Sequence, residues 1–196
     1  MSIRLPAARR RSQLLRVALG VFSERGFHQT SMNDIAQAAG VTKPVLYQHF
    51  RSKRDLYLEL LEDVGNQLRE AIGKAIARAI GPHQQVESGF QAYFRFVADQ
   101  ESAFKVLFGG GARRDQEFAE AVERVEVAMA ESIAGLIEVE GLDPDRRLLL
   151  AHGIVGLAEG TSRHWVARGL AGDPDLLAAQ VAELAWAGLR GIERHP

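Results

Sequence analysis

Apolar residues recur at intervals of three and four along almost the whole chain, and nowhere do apolar and polar residues alternate between turn signals. The pattern predicts an all-α protein of about nine helices. A first helix is expected from about Arg9 to Glu24, with Leu14, Leu15, Ala18, Leu19 and Phe22 on one face and Gly26 as its stop. Ser31, with Asp34 three residues later, has the form of a capping box with Asp in place of Glu. It opens a short helix, with Ile35, Ala36 and Ala39 inward, that Gly40 ends. Thr42 caps a third, with Lys43 and Pro44 in its first turn and Val45, Leu46 and Phe50 as anchors. Ser52 with Asp55 starts a fourth, whose apolar positions Leu56, Leu60, Val64, Leu68, Ile72, Ile76 and Ile80 step by four. At ~1.5 Å per residue it extends roughly 40 Å.

Gly81-Pro82 closes that helix and opens a fifth, from about His83 to Asp99, with Val86, Phe90, Tyr93, Phe94 and Val97 inward. A shorter segment, Glu101 to Phe108, precedes Gly109-Gly110-Gly111, and a long helix follows from about Asp115 to Glu140 through Phe118, Val122, Val125, Met129, Leu136 and Ile137. Asp143-Pro144-Asp145 and Asp173-Pro174-Asp175 each place Asp at the cap, Pro at the first helical position and Asp in the first turn. These two helices are expected to reach about Gly169 and Glu193.

Composition removes several function classes. With no cysteine in 196 residues there is no disulfide scaffold, thiolate nucleophile, cysteine zinc cluster or iron–sulfur site. Apolar runs such as Leu148–Ala151 are far too short for a membrane span, and Arg9-Arg10-Arg11 leads into a polar segment rather than a leader's apolar stretch. A soluble, cytoplasmic protein is expected. The net charge of −1 hides a division: residues 1–60 hold ten Lys+Arg against four Asp+Glu, and the remaining fourteen face twenty-one. The resulting +6 head suits polyphosphate, and the −7 body stays off it.

Chemistry concentrates in Ser31–Phe50, where two short helices meet at a tight Ala39-Gly40-Val41 turn. That spacing is the geometry of a helix-turn-helix, whose second helix enters the major groove; an ordinary helical hairpin has the same local pattern. The side chains favour the first reading. Thr42, Lys43, Tyr47 and His49 project from the second helix, Lys53 follows, and Thr30 and Ser31 at the start of the first are placed to bond a phosphate. Lys43 is the long cation early in the reading helix, within reach of a guanine edge or a phosphate. The arginines at 9–11 are either an arm that tracks phosphate or a solvated tail.

The block from Leu14 to Leu61 resembles the N-terminal domain of the TetR/AcrR family of transcriptional regulators. The resemblance is carried by Ala18, Phe22, Gly26, Phe27, Thr30, Ile35-Ala36, Ala39-Gly40-Val41, Leu46-Tyr47, His49-Phe50, Lys53 and Leu56. Pro44 departs from it, standing where many members carry a small residue. The resemblance implies a DNA-binding head over residues 1–53 and a ligand-binding and dimerisation body over 54–196. It further implies a homodimer on a palindromic operator, double-stranded DNA as partner, and a repressor that a small-molecule effector releases. The candidate DNA-contacting set is Thr30, Ser31, Thr42, Lys43, Pro44, Tyr47, His49 and Lys53.

In the body, Phe90, Phe94, Phe108, Phe118 and Met129 supply an aromatic and soft apolar interior for an apolar or aromatic effector, with His152 as a polar tip; core packing is the plainer reading. Gly153, Gly156, Leu157, Gly160 and His164 fall on one stripe whose glycines permit close approach of another helix, and Ala182, Trp186 and Leu189 line one side of the last helix. Such faces fit either an intersubunit four-helix bundle or packing within one chain. His152, Glu159 and His164 share no compact face, so no metal site is expected, and no cofactor is expected either. No nucleophile elbow, phosphate loop or His-Glu-x-x-His motif is present, which argues against an enzyme. The alternatives left open are a helical protein-binding module with a basic docking head, and an activator that needs no ligand.

Overall fold

Local caps set the helix starts. In the computed structural model, which describes residues 6–138 and 141–192, the described chain forms nine α-helices, one turn of 3-10 helix and no strand. The helices are α1 (Ala7–Gln29), α2 (Met32–Ala38), α3 (Lys43–Tyr47), α4 (Lys53–Ile76), α5 (Gly81–Asp99), α6 (Glu101–Phe108), α7 (Gln116–Ala134), α8 (Pro144–Ala167) and α9 (Pro174–Arg190). The Ser31–Asp34 capping box forms in both directions: Ser31 Oγ accepts from the Asp34 amide, and the Asp34 carboxylate accepts from the Ser31 amide. Asp143 and Asp173 cap α8 and α9 in the expected way, each ahead of a proline. Gly26, at φ 74°, breaks α1 where the sequence placed its stop.

Several boundaries differ. The third helix is a single short turn and a half, and Thr42 occupies its N-cap position without a side-chain cap bond. Helix α4 ends at Ile76; the chain turns before the extended Ile80, which is 89% exposed and so is not the inward residue that the step of four suggested. Helix α7 stops at Ala134, ahead of Gly135, and its expected end at Glu140, like that of α9 at Glu193, lies outside the described residues.

The chain divides into two compact units. One comprises the chain up to Val64 together with Ser102–Ala121; the other comprises Gly65–Glu101 together with Val122 onward. The motif alone draws the head at 1–53, whereas the compact unit runs on through the first half of α4 and takes in a distant segment. Its core contains Leu14, Ala18 and Phe22 from α1, Ile35 from α2, Leu46 and Phe50, Leu56, Leu60 and Leu61 from α4, and Leu107 and Phe118. Burying each large apolar side chain contributes about 1.5–3 kcal/mol. Phe27, Tyr57 and Phe118 interlock, with ring centroids 4.7–5.1 Å apart, and Tyr57 also meets Phe22 edge-on at 4.9 Å. Arg54 pins the distant segment: it forms a bidentate pair with Asp115 at 2.8 and 2.9 Å, a further bond to Glu117, and lies 4.7 Å over the Phe118 ring.

In the second unit α9 packs along α5 through Ala178, Val181, Ala182 and Ala185. Arg95 of α5 adds a bidentate pair with Asp175 in the first turn of α9. Gly65 in α4 lies against Val125 in α7: a Cβ there would come within 2.5 Å of the valine side chain, so only glycine permits this approach.

Candidate functional site

The helix-turn-helix is α2, the turn at Ala39–Val41 and α3. Gly40 takes φ 63°, the left-handed conformation that lets the chain reverse between the helices without strain. Leu46 and Phe50 anchor α3 in the core, which turns Thr42, Lys43, Pro44 and Tyr47 outward. The Lys43 ammonium lies 5.9 Å from the Tyr47 ring centroid, so the cation and the phenol share one face. With no cap bond of its own, the Thr42 hydroxyl is left at the helix start beside them. Gln48 and Arg51, which no motif marks, are exposed on the same segment. Their signal was position alone, flanking a short helix.

Three expected DNA contacts are placed differently. Thr30 is 2% exposed, and its hydroxyl donates to the Gly26 carbonyl, closing the α1 turn instead of facing solvent. Lys53 turns inward, donating to the carbonyl oxygens of Phe27 and Thr30 at 2.7 Å each, with its ammonium 4.2 Å over the Phe27 ring. Partial burial pulls its pKa below the usual lysine value. His49 lies in the turn past α3, partly covered. Ser31 is exposed, but its hydroxyl is engaged with Asp34. Of the arginine run, Arg11 is paired with Glu59 and stacked over Phe50, Arg10 donates to Gln13, and Arg9 is exposed on the first turns of α1. These three are therefore part of a helix.

The second unit holds a partly open cavity of about 250 Å³. Its wall is built from Ile72 and Ile76 of α4; Val86, Phe90 and Tyr93 of α5; Met129 and Ile133 of α7; Ile154, Val155 and Ala158 of α8; and Trp186 and Leu189 of α9. Gln85, Glu138 and Arg190 are its polar side chains besides the aromatic Tyr93 and Trp186. Burial pushes the Tyr93 phenol well above its ordinary value, so it stays protonated. Phe90 and Met129 line the wall. Phe94 is fully buried off the wall, and Phe108 and Phe118 belong to the core of the other unit. His152 is exposed and does not reach the cavity.

The two helices expected to dimerise present their faces unequally. Along α8, Leu149, His152, Gly153, Gly156, Gly160 and His164 are exposed, and a Cβ added at any of the three glycines would meet no atom within 4 Å. Leu157 is partly covered beside them. On α9, by contrast, Ala182 is buried within the unit and Trp186 and Leu189 face the cavity. The outward side of α9 is Leu176, Ala179, Leu184, Ala187 and Gly188 instead.

A capped helix-turn-helix that exposes a cation and a phenol, followed by a helical body that holds a largely apolar cavity, is the architecture of a DNA-binding regulator. The family model of bacterial regulatory proteins of the tetR family matches residues 14–60, and that of the tetracyclin repressor-like C-terminal domain matches residues 82–188. The chain belongs to the tetR family and is a DNA-binding transcriptional regulator. It is 32% identical over 190 residues to the HTH-type transcriptional activator FasR of Mycolicibacterium smegmatis, covering 96% of this chain and 87% of that one. A TetR-like transcriptional regulator from Rhodococcus sp. RHA1 superposes with a TM-score of 0.79 at 32% identity, over 96% of this chain and all of that one. The FadR regulator of Bacillus subtilis, solved in complex with stearoyl-CoA, shares the fold with a TM-score of 0.79 at 22% identity, over 93% of this chain and 99% of that one. Among the described residues, no helix is long and apolar enough to cross a membrane.

Proposed function

We propose that the protein binds a palindromic operator as a homodimer, represses from it, and is released when a small apolar effector enters the cavity of the second unit. The observation that carries this reading is the division of chemistry within one chain. One unit exposes Thr42, Lys43, Pro44 and Tyr47 on a helix anchored from behind, and the other holds an apolar cavity of about 250 Å³. Helices α4 and α7 contribute residues to both units, which gives cavity occupancy a covalent route to the reading head. Dimerisation is assigned to the exposed faces of α8 and α9, where Gly153, Gly156 and Gly160 allow a second helix to approach closely.

Lys43 and Tyr47 are the principal base and phosphate contacts in this reading, with Thr42, Ser31, Gln48 and Arg51 as further polar partners. The test is binding of a fluorescent duplex that carries the palindrome upstream of the chain's own gene. Lys43→Ala and Tyr47→Ala are each expected to weaken binding by about 1–3 kcal/mol, roughly ten- to a hundredfold. Unchanged affinity in both would remove α3 from the interface. A second reading, activation, is favoured by the full-length similarity to an activator; transcription from the same promoter with and without the protein separates the two.

A further inference from the structure

The wall of the cavity has one element that is held from outside. Trp186 is the largest side chain in it, only partly buried, and its ring is met edge-on by His83, with centroids 5.0 Å apart and planes at 69°. His83 is exposed on the surface of the unit. It stands in the first turn of α5, directly after Gly81 at φ 81° and Pro82, and its Nε2 lies 3.8 Å from Glu87 one turn on. Edge-to-face pairing of this kind orients both rings. The imidazole edge therefore lies against the indole from the first turn of α5.

We propose that His83 is a positioning residue that holds Trp186 in the cavity wall, and that the pair restricts the site to a slender, unbranched apolar chain and excludes fused-ring molecules. The volume agrees: about 250 Å³ is at or below the ~300–1,000 Å³ of sites that enclose drug-sized ligands. A flexible chain can fold into so small a volume, whereas a rigid polycycle needs more room, which displacement of the indole would supply. The proposal rests on the reading of this cavity as the effector site.

The test uses two monocarboxylates with matched heads, dodecanoate and deoxycholate, below their aggregation concentrations. Calorimetry measures affinity, and tryptophan emission follows Trp186, the remaining tryptophan after Trp165→Phe. The full chain is expected to prefer dodecanoate by about tenfold or more, within the range that shape selection in an apolar pocket achieves. His83→Ala should shrink that preference and change the Trp186 emission, and His83→Phe, which keeps a ring edge against the indole, should restore both. Equal affinity for the two probes in the unaltered chain, or an unchanged preference in His83→Ala, overturns this proposal and leaves the effector reading standing. Binding of neither probe overturns both.

Discussion

Lys53 is a residue whose chemistry reads one way in the sequence and another in the structure. A cation at the start of the helix after the reading helix suggests a phosphate contact, yet its ammonium is bonded to the Phe27 and Thr30 carbonyl oxygens and fixes the entry into α2. Lys53→Met keeps the length of the stem and leaves those two acceptors unsatisfied, at a cost of about 1–3 kcal/mol to the head. Thermal unfolding should show the loss, while the salt slope of operator binding stays unchanged; a phosphate contact would lower that slope by about 1. Asp34 gives a pH-dependent counterpart. Bonds from the Ser31 hydroxyl and amide, with the Arg25 charge beyond them, hold its carboxyl below the usual aspartate value. The native state therefore binds this proton less readily than the unfolded chain, so the stabilisation is present above the ordinary carboxylate range and fades as pH falls through the native value. Denaturant midpoints measured from about pH 5 to about pH 2 should fall less steeply in Asp34→Asn than in the unaltered chain.

Among the elements, starts were more legible than ends. Ser31 with Asp34, Asp143 with Pro144 and Asp173 with Pro174 act over three or four residues, so the residues that satisfy the first amides can be read directly. The end of α4 at Ile76 had no such mark, because the apolar row continues to Ile80 and only packing shows that the last member faces solvent. Gly65 is equally silent in sequence. It lies inside a helix, where glycine is unfavourable, and its reason is Val125 on another helix. Gly65→Ala should improve helix propensity but force the valine and its helix aside, for a net loss of about 1–3 kcal/mol in thermal unfolding. A gain in stability would show that α4 and α7 can separate at this point without cost.

For the whole molecule, the near-neutral total is the sum of a basic N-terminal part and an acidic remainder, and each dimer would bring two basic heads to DNA. Gly156 lies in the open stripe of α8, where a Cβ would meet no atom within 4 Å, so a charged side chain there disturbs nothing within the chain. Gly156→Glu is expected to shift sedimentation toward monomer and to abolish cooperative binding to a full palindrome, with the folding stability of the chain itself changed by only about 1 kcal/mol of helix propensity or less. A variant that stays dimeric would place the subunit contact elsewhere.

The sequence by itself determined the helical class, the order of the helices, the capped turn of the helix-turn-helix and the separation of charge. Each of these depends on spacing within a few residues or on composition. Which surface covers each apolar face was decided by tertiary structure. Phe108 and Phe118 read as cavity residues and instead joined the core that holds the reading head, because residues 102–121 pack on α1 and α4 through Arg54 and Tyr57. Trp186 and Leu189 read as a subunit face and instead wall the cavity, because α9 lies along α5. Helical periodicity shows that a stripe is apolar; the identity of the surface that covers it depends on residues far away in the chain.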